Sequence, residues 1–171
     1  MKKKFGIIMI AILVFIDQFT KYLAINNLKD KDPIIIIKDV FQFYYLENRG
    51  AAFGILQNKE WFLIIVPILI LLAIFYVIYK LPNVRKYVPI YYICLFISAG
   101  AIGNLIDRIR YSFVVDFFYF ELIDFPVFNV ADSYVSVAGV ILVILGFFYY
   151  KDDDFEFLNM KDKKNFSNEE D

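Results

Sequence analysis

Four apolar runs, at residues 5–25, 62–79, 87–106 and 134–150, punctuate the chain, and each comes close to the roughly 20 residues that a helix needs to cross bilayer hydrocarbon. The first follows Lys2, Lys3 and Lys4 but no A-x-A-like cleavage site comes after it, so it predicts an uncleaved anchor and not a secretory signal peptide. Pro67 inside the second predicts a kink. Between the first two runs the pattern changes. Residues 33–47, "PIIIIKDVFQFYYLE", are β-branched and aromatic, with Lys38 and Asp39 as a turn, and predict a small sheet. The following "NRGAAFGIL" joins small residues to an apolar end and predicts a short interfacial helix. The expected fold class is therefore an all-α membrane protein of four transmembrane helices, with a small outer-face β-sheet and that short helix.

Cationic residues flanking the runs set the orientation. Lys2 to Lys4, Lys80, Arg85, Lys86 and Lys151 fall on one side, which the positive-inside rule makes the cytoplasm. Arg108 and Arg110 lie on the other side, as do the lysines of the first outer segment, and they weaken the bias without reversing it. An even number of spans returns the C-terminus to the cytoplasm. The outer segments are then residues 26–60 and 107–133, residues 1–150 form one domain, and residues 151–171 form a charged, solvated cytoplasmic tail. Trp61, opening the second run, suits the headgroup level.

Composition agrees, with 60% hydrophobic residues and a mean hydropathy of +0.58. The 18 Lys+Arg nearly cancel the 19 Asp+Glu, so no basic face exists for nucleic acid. The chain has no histidine, which removes Ser-His-Asp and Cys-His nucleophilic chemistry and the usual zinc sites together. No metal or cofactor is expected. The single Cys94 lies within an apolar run and reads as a small buried hydrophobe. Carboxylates are what remains for chemistry.

Asp17 and Lys21 are four apart, so they share a helix face and can pair. Ala99 and Gly103 have the spacing of a close helix contact. Asn104, Asp107 and Arg108 follow at the outer end of the third run, where a local Asn-Asp-Arg network would satisfy Asp107 while Arg108 is also placed to point at a ligand. Asp116 and Asp132 sit among apolar residues with no cation nearby in sequence. Either they are a headgroup-level loop carboxylate and a helix N-cap, or they are functional, as ionisable groups at membrane depth commonly are. The residues by themselves leave both readings open. Two carboxylates sharing a low-dielectric pocket can hold one proton between them, one activating water while the other polarises a carbonyl. Asp124, in a loop before Phe125 and Pro126, receives no role.

Five strings, "DQFTKYLA" at Asp17, "ENRGAAFG" at Glu47, "GNLIDR" at Gly103, "VVDFF" at Val114 and "FNVADS" at Phe128, occur in order across the four runs and resemble those of the bacterial lipoprotein signal peptidase family, signal peptidase II. The likeness covers residues 5–150. It implies a membrane aspartyl protease that cuts prolipoproteins before a diacylglyceryl-modified cysteine, with an outer-face β-cradle, in the bacterial cytoplasmic membrane. By this resemblance Asp116 and Asp132 are the catalytic pair. Asn48, Gly50, Asn104, Asp107, Arg108, Asn129 and Ala131 shape the site or hold substrate, and Asp17 and Lys21 are a structural pair. Prolipoproteins and membrane lipids are the expected partners of a monomer. A small ion or proton transporter and a non-catalytic scaffold are the rival readings. Topology is directly testable: a reporter fused after Lys151 should read cytoplasmic and one inserted at Asp30 external, and an external C-terminus would break the shared interface for the two aspartates.

Overall fold

The computed structural model describes residues 3–50 and 60–158. Helices α1 (Lys3–Leu28), α2 (Glu60–Lys80), α3 (Val88–Tyr111) and α4 (Val130–Phe148) are each long and apolar enough to cross a membrane. Strands β1 (Ile34–Ile37), β2 (Phe41–Asn48) and β3 (Val114–Tyr119) form an antiparallel sheet in that order at one end of the helices. The expected turn holds, with Asp39 at a φ of 59° between β1 and β2. The segment expected to form the interfacial helix lies largely outside the described residues.

Three boundaries differ from expectation, each for a local reason. Helix α3 continues beyond Ile106 to Tyr111 before Ser112, in the left-handed region, caps it, so Asp107 and Arg108 are helical and not loop residues. Helix α4 starts before Tyr134, because Asn129 caps it at Val130. Residues 114–119 are a third strand and not a loop: Val114 and Val115 pair with Asn48 and Glu47, and Asp116 with Leu46. Asp116 is thus built into a sheet.

Helix α3 lies between the others and packs against α1, α2 and α4, whereas α2 packs chiefly on α3. Small residues allow this. At Gly100 an added Cβ would strike the Ala131 carbonyl of α4, and at Gly103 it would strike the Asp17 carboxylate of α1. Two apolar clusters complete the core. Tyr91, Cys94 and Leu95 gather at the end remote from the sheet, and Ala24, Leu28, Val115 and Phe117 fasten β3 to α1. Elsewhere the helices show large apolar side chains outward, Phe147 and Phe148 being 81% and 86% exposed, as lipid-facing surfaces require.

The expected solvated tail begins with a packed turn. Residues Asp152–Leu158 form a 3-10 helix that folds back on the α2–α3 connection. Tyr87 donates to the Asp154 carbonyl, Lys86 pairs with the Asp154 carboxylate, and Phe157 packs edge-on against Tyr87. Two aromatic side chains within a charged stretch are enough to hold it.

The close α1–α3 contact predicts that Gly103→Ala destabilises the protein by about 1–3 kcal/mol through overpacking. Gly139→Ala and Gly146→Ala, where a Cβ meets nothing within 4 Å, should leave the Tm unchanged or slightly raised. Thermal unfolding of the three variants in one detergent checks this.

Candidate functional site

The N-terminus of α4 builds one side of the site from local sequence alone. Asn129 is the N-cap and Asp132 is N3, so "NVAD" closes a capping box. The Asn129 side-chain oxygen accepts from the Asp132 backbone N–H (2.9 Å), and Asp132 Oδ2 accepts from the Asn129 backbone N–H (3.1 Å). Asp132 is therefore not itself the N-cap that sequence reading offered; the cap is three residues earlier. Its second oxygen, Oδ1, accepts from Asn104 Nδ2 of α3 at 2.7 Å.

Strand β3 supplies the other side. Alternation sends Val115 and Phe117 into the cluster against α1 and leaves Asp116 on the opposite face, lining the cavity and 1% exposed. Asp116 Oδ2 accepts from Asn48 Nδ2 (2.8 Å) and Oδ1 from Asn129 Nδ2 (2.6 Å). Asn129 thus touches both aspartates, Asp116 through its side chain and Asp132 through its backbone. Asn48 is aimed in turn by Gly50, whose backbone N–H donates to Asn48 Oδ1 at 3.0 Å.

Behind this pair lies a buried ionic cluster. Lys21 Nζ contacts Asp17 Oδ2 (2.9 Å), Asp107 Oδ2 (3.0 Å) and Asn104 Oδ1 (2.9 Å), which matches its three donors. Asp17 Oδ1 accepts the Ala131 N–H at the start of α4, and Asp107 Oδ2 accepts the Val115 N–H of β3. The cluster holds in place the two backbones that carry Asp116 and Asp132. Asp107 is consequently satisfied by Lys21 and not by the Asn104–Arg108 network expected from its neighbours, because α1 brings an ammonium to the buried face of α3 while Arg108 turns towards the cavity. Gln18 also belongs here, donating to Asp107 Oδ1 (2.9 Å), Asp17 Oδ2 (3.2 Å) and the Gly103 carbonyl (3.1 Å). Sequence reading passed over it, although its place beside Asp17 in "DQFTK" was a signal.

Asp116, Asp132, Asn48, Asn104 and Arg108 all line one cavity of about 1150 Å³, which is open and runs from the sheet towards Pro67 of α2 and Val135 of α4. Arg108 Nε has no hydrogen-bond partner among the described residues, which suits a group kept for a ligand. Burial pushes the Asp116 carboxyl up to about 7, and the nearby Asp132 carboxylate adds to the rise against the donors Asn48 and Asn129. A carboxyl that keeps its proton near neutrality, beside a second carboxylate in a cavity, is equipped for acid-base chemistry on a carbonyl. Gly50 and Ala131 act through their backbones, and Asp17 with Lys21 form the buried pair foreseen for them. Asp124 also lines the cavity, where its carboxylate accepts from the Tyr119 hydroxyl at 2.8 Å.

The family model described as Signal peptidase (SPase) II matches residues 9–149. Relatives named lipoprotein signal peptidase include one from Caldanaerobacter subterraneus subsp. tengcongensis, 47% identical over 84% of this chain and 96% of its own length. Another, from Clostridium tetani, is 46% identical over 94% of this chain and 99% of its own. Two solved bacterial membrane enzymes are similar in structure. One has a TM-score of 0.74 at 30% identity, covering 94% of both chains, and the other 0.73 at 33% identity, covering 86% of this chain and 95% of its own.

The environment of Asp116 generates a titration test. Followed by 13C NMR of labelled aspartate, its carboxyl should lose its proton near pH 7, well above an ordinary aspartate. Asn48→Ala removes a donor to the charged form and should raise that midpoint further, by on the order of one pH unit.

Proposed function

The chain belongs to the signal peptidase II family, a multi-pass membrane protease acting on prolipoproteins, and on that premise we propose that Asp116 and Asp132 are its catalytic dyad in an aspartyl mechanism. The observation that carries this is the shared asparagine: Asn129 bonds both carboxylates at the mouth of one cavity, a geometry suited to a water and a single proton held between two acids. One carboxylate takes a proton from water as its oxygen attacks the scissile carbonyl carbon. The other gives its proton to the carbonyl oxygen. Collapse of the gem-diol breaks the C–N bond: the leaving nitrogen takes the proton from the first carboxyl, one gem-diol hydroxyl returns its proton to the second carboxylate as C=O reforms, and the products are an acid and an amine with one proton again on the dyad.

Asn48 and Asn104 keep the carboxylates aimed, and Arg108 with its free Nε holds a substrate carbonyl. The cavity wall of Pro67, Ile70 and Val135 is apolar and lies between α2 and α4, which suits the acyl chains of a diacylglyceryl-cysteine entering from the bilayer. Cleavage before that cysteine is what the likeness to the family implies, and placing the chains in lipid and the peptide at the sheet is compatible with it. In this reading both chain ends lie in the bacterial cytoplasm and the dyad at the outer interface, which the flanking lysines and arginines support. Residues 1–150 are the catalytic domain, and it works as a monomer, since one copy carries both acids of the site. An ion relay fits less well, because the buried carboxylates among the described residues, Asp17, Asp107 and Asp116, gather at the sheet end and none continues along the helices.

Turnover of a lipidated prolipoprotein by purified variants tests the reading. Asp116→Asn and Asp132→Asn should each lose about 10²–10⁴ in kcat, and the double variant should lose no more than either, since the survivor cannot do both jobs. Asp124→Asn should stay within a few-fold of wild type. Near-normal turnover by either single variant would rule the dyad out.

A further inference from the structure

Three asparagine amides surround the two aspartates, and each has its oxygen engaged by a group that can only donate. Asn48 Oδ1 takes the Gly50 backbone N–H, Asn129 Oδ1 takes the Asp132 backbone N–H, and Asn104 Oδ1 takes the Lys21 ammonium at 2.9 Å and, less closely, the Asn129 Nδ2–H at 3.1 Å. The nitrogen of each must then face outward, to Asp116 for Asn48 and Asn129 and to Asp132 for Asn104. Two of these orienting donors are backbone and one is the neutral Asn129 amide. The remaining one, Lys21, is a charged side chain on a different helix, buried with 2% of its surface exposed, and nothing in the aspartyl mechanism uses it.

We infer that Lys21 is a positioning residue for the reaction: by fixing the Asn104 amide so that it donates to Asp132, it makes Asp132 the ionised base of the pair and leaves the shared proton on Asp116. This rests on the dyad reading above and adds the assignment of its two roles. Asymmetry around the pair supports it. Asp132 sits in the first turn of α4, where backbone N–H groups and the helix dipole favour negative charge, and it keeps some exposure to the cavity. Asp116 lies in a strand and is almost wholly buried. The charges facing Asp132 are Asp116 from β3 and Arg108 from α3, and behind Asn104 stand Lys21 and Asp17 of α1 with Asp107 of α3. Glu47 of β2 pairs with Arg49, just beyond the strand, at 2.9 Å and with Lys29 at 3.0 Å. Lys21 reaches Asp132 by hydrogen bonds through Asn104.

The test separates positioning from mere support. In Lys21→Met the Asn104 amide loses its charged donor and keeps on its oxygen the longer, neutral bond from Asn129, so its hold on Asp132 loosens. The acid limb of the kcat–pH profile, normalised to its own maximum, should then move to higher pH by roughly one to two units, the equivalent of one lost charge-assisted hydrogen bond. In 15N-asparagine spectra the single Asn104 side-chain amide pair should broaden or double. Gln18→Met loosens the same cluster without touching Asn104, so it should lower the Tm and leave the acid limb in place. Asn104→Leu leaves Lys21 on Asp17 and Asp107 and should move the limb as Lys21→Met does. If Lys21→Met fails to insert, this variant still leaves the assignment open to refutation, because the route from Lys21 to Asp132 runs through Asn104. An unmoved limb in Asn104→Leu, or equal shifts in Gln18→Met and Lys21→Met, overturns the assignment. If Asp116→Asn or Asp132→Asn proves active, the dyad itself falls; if both are dead and the limb does not move, only the role of Lys21 falls.

Discussion

A single ammonium group, placed where the bilayer would tolerate no lone charge, organises this protein. An isolated ion in a low-dielectric interior is costly, and Lys21 is admissible only because Asp17, Asp107 and Asn104 accept all three of its donors. The two carboxylates have oxygens to spare, and they use them on backbone N–H groups of α4 and β3. One ion cluster therefore joins α1, α3, α4 and the sheet. Helices in lipid gain little from burying apolar surface against one another, so polar closure and tight packing of small residues must supply the specificity. Gly100 and Gly103 bring the backbones close enough for that closure to form.

The cavity takes its electrostatic character from the same logic. Each asparagine amide is a two-ended connector, and whichever end meets an obligate donor determines what the other end offers. Asp116 and Asp132 receive two donors apiece in fixed directions, before any substrate arrives. Preorganisation of this kind avoids rearranging dipoles during the reaction. It is achieved with neutral side chains, which do not compete with Arg108 for the charge in the cavity.

How much of this could be read from the chain depended on distance. The four apolar runs and the strand pattern of residues 33–47 are local, and they appear as α1 to α4 and as β1 and β2. Asp17 with Lys21 is also local, four residues on one helix. The partner of Asp107 was misjudged because helical neighbours can be counted along the sequence, whereas Lys21 and Gln18, the latter 89 positions away, come near only when α1 and α3 cross. Strand β3 escaped notice for a similar reason. Its residues 114–119 become a strand by pairing with β2, and six apolar and acidic residues do not announce that by themselves. The cap of α4 lay within a single string, "NVADS", where sequence reading weighed Asp132 alone and the geometry puts the cap at Asn129.

The capping box has a consequence for resistance to inhibitors. Asp132 and Asn129 hold the start of α4 as well as the site, so a substitution that weakened an inhibitor there would also unpin a membrane helix. Asp107 and Asp17 are bound to backbone in the same way. Escape at tolerable cost is left to the apolar cavity wall, at positions such as Ile70, Ile97 and Val135, which line the space without joining the hydrogen-bond network. Compounds that draw their affinity from the polar floor and little from that wall leave the enzyme the fewest ways out.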